Sequence, residues 1–314
     1  MIDRARVHTS YLNRLPAVNR YFRYLAPLYP RAFESFDLNG FDTIVSSTTA
    51  WAKGVRVPAG AVHVCYLNTV SRFTFDRHYA GGFRFGGLAR PVLERLIAWD
   101  HRAAARPTRL IANSRNVADR IKQYYGRDAT VLHCPVDLDR FTVGSGDGDY
   151  FAIASRLLPY KRIELAIEAA DAARVKLYIA GTGPSERKLR RLARGTTTTM
   201  LGYVSDPQLN ALFGAARAII VPGEEDFGLA PLEAAAAGRP AIALRAGGAL
   251  ETVAEGQTGV FFDEPAPQAL ANVLRAFEAA RYDPQRLRAH ACAFSPETFI
   301  VRLQSIVEET RAAA

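Results

Sequence analysis

Short apolar runs alternate with longer amphipathic ones along most of the chain. TIVSS at 43–47, AVHVCYL at 61–67, RLIANS at 109–114 and ATVLHC at 129–134 are rich in β-branched residues and bounded by polar ones, which predicts strands. Between them, 88–105 and 117–125 carry helical spacing. GSGDGD at 144–149 interrupts the rhythm with small residues and reads as a linker. A second series follows, with strands at 150–155, 175–181, 197–204, 216–222 and 241–244. Helices fall at 162–173, 185–193, 208–215 and from about 229 to a glycine stop at Gly238. Ser295 and Pro296 sit where an N-cap and a first helical residue belong, starting a helix to about 312 that is expected to pack back on the body.

Strand and helix in alternation mean an α/β protein with parallel sheets. The pattern predicts two Rossmann-like domains, 1–142 and 150–294, joined by the linker 143–149 and followed by the helix at 295–314. With 314 residues the chain exceeds the size at which one core usually stops growing, which fits two domains. In such sheets ligands bind beyond the carboxyl ends of the strands, so the loops after strands, and a cleft between the two halves, are the places to look. The aromatic and arginine-rich segment 8–36 contains Pro16, Pro27 and Pro30, which rules out one long amphipathic helix there.

Charge and composition narrow the picture further. At 49 % hydrophobic and 23 % charged residues, with no apolar run near the ~20 residues a bilayer requires, an integral membrane protein is excluded. Three cysteines without C-x-x-C spacing argue against a disulfide framework or a zinc site and read as a cytoplasmic protein. A net charge of +9 favours an anionic partner, whether a phosphorylated substrate, an anionic membrane surface or nucleic acid; no nucleic-acid recognition motif is present. The histidines show no paired ligand spacing, and no metal is expected.

Chemistry concentrates in VPGEEDFGLAPLEAAAAGRP at 221–240. Glu224 and Asp226 fit as complements to the dipole of the following helix, worth about 0.3–1 kcal/mol each. Glu225 and Glu233 form E-x7-E around FGLAP, and SRLLPYKR at 155–162 puts Arg156 and Lys161 just beyond the first strand of the second half. GTGP at 181–184 and GYVSDPQL at 202–209 follow in order. Together these segments resemble the retaining glycosyltransferases of family 4, which have the two-domain GT-B fold. SSTTAWAKGVRVPAGAVHVCYLNTVSRFTFD at 46–76 is similar to a bacterial mannosyltransferase branch involved in polysaccharide assembly.

The resemblance implies roles residue by residue. Arg156 and Lys161 would neutralise the donor diphosphate, Glu225 would face the donor sugar, and Glu233 would bind the ribose. The backbone of Gly228, Leu229 and Ala230 would meet the diphosphate, Gly181 and Gly183 would form the donor-side turn, and Tyr203 and Val204 would lie near the base. Asn68 stands where that branch has a histidine reaching the reacting sugar, and with Arg72 it is a candidate sugar or acceptor contact. An amide can hydrogen-bond a hydroxyl but cannot act as a base.

The implied activity is transfer of a hexose, mannose from GDP-mannose, to a growing polysaccharide or lipid-linked glycan, with peripheral contact at the inner face of the plasma membrane. No metal cofactor is implied, so Asp137 and Asp139 in VDLDRF are not read as a D-x-D site. Family members begin with a strand, a Gly-rich loop and two further βα units before the segment matched here, so the first domain is expected to be truncated. The rival reading is a catalytically inactive protein that keeps nucleotide-sugar or partner binding.

Overall fold

The structure, a computed structural model, describes residues 7–16, 18–21, 24–75 and 89–314. The chain divides into two compact units, Met1–Leu132 with Arg302–Ala314, and His133–Val301.

The first unit holds a parallel sheet of four strands in the order β1-β2-β3-β4. They are β1 (Thr43–Thr48), β2 (Val62–Leu67), β3 (Arg109–Ala112) and β4 (Thr130–Val131). The run at 129–134 supplies only two strand residues, Thr130 and Val131. Every residue of β2 is buried, as befits a strand covered on both faces. Cys65, Leu67, Leu110 and Ala112 meet Val117 and Ile121 from the helix Arg115–Tyr125 in one core. That helix starts where Ser114 Oγ accepts from Val117 N–H and ends at Gly126, whose φ of 67° is left-handed.

The proline-broken segment forms four short turns of helix, Tyr11–Arg14, Val18–Tyr21, Ala26–Leu28 and Tyr29–Glu34. Glu34 is fixed by Trp99 Nε1 (2.8 Å), Arg106 (2.7 Å) and Arg56 (3.0 Å). Burial works against its ionisation, but these donors hold its carboxyl below the ordinary range.

A buried polar network lies beside them. Lys53 Nζ donates to Asp100 (2.5 Å) and Ser71 (3.0 Å), while Tyr125 OH donates to the other Asp100 oxygen (2.6 Å). Lys53 and Asp100 are both fully buried, so each depends on the other for its charge to be tolerated.

The second unit is a six-stranded parallel sheet in the order β10-β9-β8-β5-β6-β7. Its strands are β5 (Phe151–Ala154), β6 (Leu177–Ala180), β7 (Thr198–Gly202), β8 (Ala218–Val221), β9 (Ala241–Leu244) and β10 (Gly259–Phe262). Alternate residues serve opposite faces: Phe151 and Ile153 enter one core with Ile163, Ile167 and Leu274, and Ala152 enters another with Phe213, Leu232 and Leu287. This is the doubly wound arrangement. The strand order reverses between β5 and β8, which makes their carboxyl ends the topological switch point.

Two expectations about domain boundaries differ from what is seen. The unit boundary falls after Leu132 and not after 142, because Val136 and Phe141 are buried in the second unit's core. The segment 143–149 is not a free linker. Gly144 N–H donates to Ala237 O, Gly146 N–H to Gly214 O and Gly148 N–H to Ala215 O. A Cβ on Gly144 would sit 2.3 Å from the Gly214 backbone, so that glycine serves close approach and not flexibility. The final helix, Pro296–Ala312, begins with Thr298 N–H donating to Ser295 Oγ, and its last turns pair Glu309 with Arg109 and Arg311 with Asp42.

None of the described helices is long and apolar enough to cross a membrane.

Candidate functional site

The loops after β5, β8 and β9 converge at the switch point. Beyond β5 the chain passes exposed Arg156 and the buried anchor Leu157, then makes the 3-10 turn Pro159–Lys161. Arg162, at φ 49°, carries left-handed backbone into the helix Ile163–Ala173. Beyond β8 comes the acidic loop. A Cβ on Gly223 would lie 2.5 Å from Tyr160 O and 2.9 Å from the Lys161 backbone, so the two loops touch main chain to main chain there. That contact brings Lys161 and Glu225, separated by 64 residues, into an ion pair with both side chains largely covered.

The loop after β9 completes the support. Gly248 N–H donates to Glu225 O (2.9 Å), and a Cβ on Gly248 would fall 2.2 Å from Phe227 O. Phe227 is buried and stacks on the His133 ring, centroids 5.3 Å apart, and His133 Nε2 meets Glu251 at 2.9 Å. Gly228 then takes φ 84°, turning the chain into the helix Ala230–Ala236, with half-exposed Leu229 ahead of it.

Glu233 lies in the first turn of that helix and points to a mostly covered place. Burial pushes its carboxyl above the ordinary range; Arg140 opposes the rise and Asp206 adds to it. Arg140 Nη1 is 3.7 Å from Glu233, and its Nη2 bonds Asp206 at 2.8 Å.

The remaining expected residues fall into two groups. Gly181 (φ 131°) and Gly183 pack on the main chain of the loop after β5, since a Cβ would come within 1.9 Å of Ser155 O and 2.6 Å of Leu157 O respectively. Tyr203 is 80 % exposed, leaving its ring face open to stacking, while Val204 packs on the core. Asn68 and Arg72 belong to the first unit. The Asn68 amide donates to Ser47 Oγ at 3.2 Å and fixes the end of β1, and Arg72 opens the short helix Arg72–Phe75. Asp137 caps its own turn by accepting from Asp139 N–H, and no group of three metal-ligating side chains occurs among the described residues.

Sequence reasoning missed Arg140, Gly223, the Gly247–Gly248 pair and the His133–Glu251 support of Phe227. Glycine shortly after a strand end, at 223 and 247–248, is the signal that could have pointed to the loop contacts. Arg140 left none.

The sequence family described as Glycosyltransferase Family 4 matches residues 3–140, and that described as Glycosyl transferases group 1 matches 137–292. A D-inositol 3-phosphate glycosyltransferase of Salinispora arenicola is 30 % identical over 327 residues, covering 90 % of this chain and 71 % of the relative. The chain belongs to glycosyltransferase family 4.

A D-inositol 3-phosphate glycosyltransferase of Geodermatophilus obscurus is 31 % identical over 259 residues, 72 % of this chain and 57 % of the relative. The chain thus spans little more than half the length of that family member. Among solved structures, sucrose-phosphate synthase from Thermosynechococcus elongatus superposes with a TM-score of 0.73 at 19 % identity, covering 98 % of this chain and 83 % of the other. HepE of Anabaena, in complex with UDP, gives 0.63 at 19 % identity, covering 94 % and 84 %. The fold of this family member is GT-B, two Rossmann-like α/β domains.

Proposed function

We propose that the chain is a retaining glycosyltransferase that moves a hexose from a nucleotide-sugar to a glycan acceptor. The observation that carries the reading is the Lys161–Glu225 pair at the switch point, flanked by exposed Arg156: cationic and carboxylate groups are held together where an α/β sheet receives a nucleotide. Arg156 and Lys161 offset the charge that builds on the diphosphate as the bond from the sugar C1 to phosphate oxygen breaks. The acceptor oxygen bonds to C1 from the same face, and its proton passes to the departing phosphate oxygen. Glu225 takes hydrogen bonds from vicinal sugar hydroxyls, Glu233 from the ribose pair, the 228–230 backbone meets the diphosphate, and Tyr203 stacks on the base.

The donor carried over from the resemblance is GDP-mannose, and the acceptor a growing polysaccharide or lipid-linked glycan met by peripheral contact with an anionic membrane in the cytoplasm. Two observations favour a second reading of the partners. The Anabaena neighbour holds UDP, and the relatives are named for an inositol phosphate acceptor. The test is turnover of GDP-, UDP- and ADP-hexoses with lipid-linked glycans and with inositol phosphate. Glu225→Ala should lower the rate by about 10²-fold or more, as lost transition-state contacts do. Unchanged turnover in that variant would remove Glu225 from the site, and nucleotide binding by the wild type without any transfer would select the inactive reading.

A further inference from the structure

Arg140 sits in the turn Leu138–Arg140, far in sequence from the acids it serves. The turn is fastened to the helix that carries Glu233. Arg288 donates to Ala236 O (2.7 Å) at the end of that helix, and to Phe141 O (2.5 Å) and Leu138 O (3.2 Å) on either side of Arg140. The same guanidinium of Arg288 therefore fixes both the helix and the turn, which sets how far Arg140 stands from Glu233.

Arg140 is shared between two acids, Asp206 at 2.8 Å and Glu233 at 3.7 Å, and lies against the Phe141 ring at 5.6 Å. Its Nε is buried without a hydrogen-bond partner among the described residues. A cation so placed, with its tighter bond on Asp206, leaves the Glu233 oxygens to accept from a ligand while still favouring their charge.

The other charged groups on elements packed against Glu233's helix are committed elsewhere. Arg286 is on Asp283, Arg288 is on main-chain carbonyls, His290 is on Thr252 O, Glu251 is on His133, Arg239 is on Gly144 O, and Glu225 is on Lys161. β8 and β9 carry no charged residue. Arg140 and Asp206 are thus the pair that faces Glu233.

We propose that Arg140 is a positioning residue for nucleotide binding, which keeps Glu233 a carboxylate and aimed at the ribose, with Asp206 setting how much of its charge Glu233 receives. This rests on the reading of Glu233 as the ribose-binding acid. It follows that the two neighbours act in opposite directions. Loss of Arg140 removes an opposite charge from a buried carboxyl and makes it hold its proton to higher pH; loss of Asp206 removes a like charge and frees Arg140 to close on Glu233, with the reverse effect.

The experiment is titration calorimetry with GDP and UDP and with their 2′,3′-dideoxy analogues, carried upward in pH from the ordinary carboxylate range through the range in which the protein stays folded. The ratio of ribo to dideoxy affinity isolates the ribose contact from the diphosphate contacts. In the wild type the ratio should rise with pH as Glu233 ionises, by about 10–100-fold, the range for hydrogen bonds to a charged group. Arg140→Met should move the rise to higher pH, Arg140→Lys should restore most of the wild-type profile, and Asp206→Asn should move the rise to lower pH. Should Arg140→Met fail to fold, the Lys and Asp206→Asn variants still decide.

A Glu233→Gln variant that keeps the wild-type ratio would overturn the ribose reading and the role of Arg140 with it. A Glu233→Gln variant that abolishes the pH-dependent rise, while the Arg140 and Asp206 variants leave the rise where it was or shift it in one common direction, would overturn the role of Arg140 alone.

Discussion

Gly223→Ala is a one-methyl test of how the loops after β5 and β8 are joined. Gly223 is not in left-handed backbone, so the effect is steric. The new Cβ would stand 2.5 Å from Tyr160 O, where ordinary contact begins at 3.4 Å, and 2.9 Å from two Lys161 backbone atoms. All three are main-chain atoms, so no side chain can swing aside. The Pro159–Lys161 turn must retreat by most of an ångström, carrying Lys161 away from Glu225. The stability cost of such overpacking is about 1–3 kcal/mol. Under the role proposed for Lys161 the cost to turnover is larger, about 10²-fold, the consequence of a 1 Å misplacement at a reacting centre. Turnover of the nucleotide-sugar, measured beside the thermal midpoint, separates the two. Gly256→Ala is the control, since Gly256 is left-handed (φ 74°) with nothing near its missing Cβ and should lose about 1 kcal/mol of stability without loss of turnover. A Gly223→Ala enzyme with wild-type turnover would refute the claim that this contact positions Lys161.

Two further outcomes follow from the first unit. Lys53→Met should destabilise by about 3–5 kcal/mol in chemical denaturation, because it leaves the buried Asp100 carboxyl without its cation; a loss below about 1 kcal/mol would contradict the buried pair. His63 is fully buried with Ser46 Oγ at 2.8 Å from its Nε2, and burial pushes its pKa down to about 4 from 6.5. The unfolded chain takes up this proton where the fold refuses it, so the stability from neutral His63 is present above pH 6.5 and is lost as pH falls toward 4. The loss is about 3 kcal/mol across that window. His63→Gln should flatten this part of the stability profile, and an unchanged slope would contradict it.

What the sequence disclosed and what it hid divide on physical grounds. Strands such as AIIV at 218–221 and AIAL at 241–244 are short, continuously apolar and bounded by turn formers, so local pattern suffices. The stretch 245–294, with β10 and the helices Pro267–Ala276 and Pro284–Cys292, was assigned no element, although GVFF at 259–262 is as continuously apolar as AIIV. GSGDGD looked flexible because glycine serves both freedom and close packing, and only the neighbour at Gly214 tells which. At the candidate site, the motif spacing singled out Glu225, Glu233, Arg156 and Lys161, and the fold pairs Lys161 with Glu225. Arg140 and the Gly223 contact arise from approaches across 93 and 62 residues or so of chain, which no local spacing encodes.

The central claim, that the carboxyl ends of β5 and β8 hold a nucleotide-sugar diphosphate, is tested most directly by nucleotide titration of the wild type and Arg156→Met. Arg156 is exposed, so its loss should spare the fold and change the ligand contact alone. At least one of GDP, UDP and ADP should bind the wild type, and Arg156→Met should weaken that binding by about 1.5–3 kcal/mol, as for a lost hydrogen bond to a charged group. Equal affinity in the two proteins, or no binding of any of the three by the wild type, would contradict it.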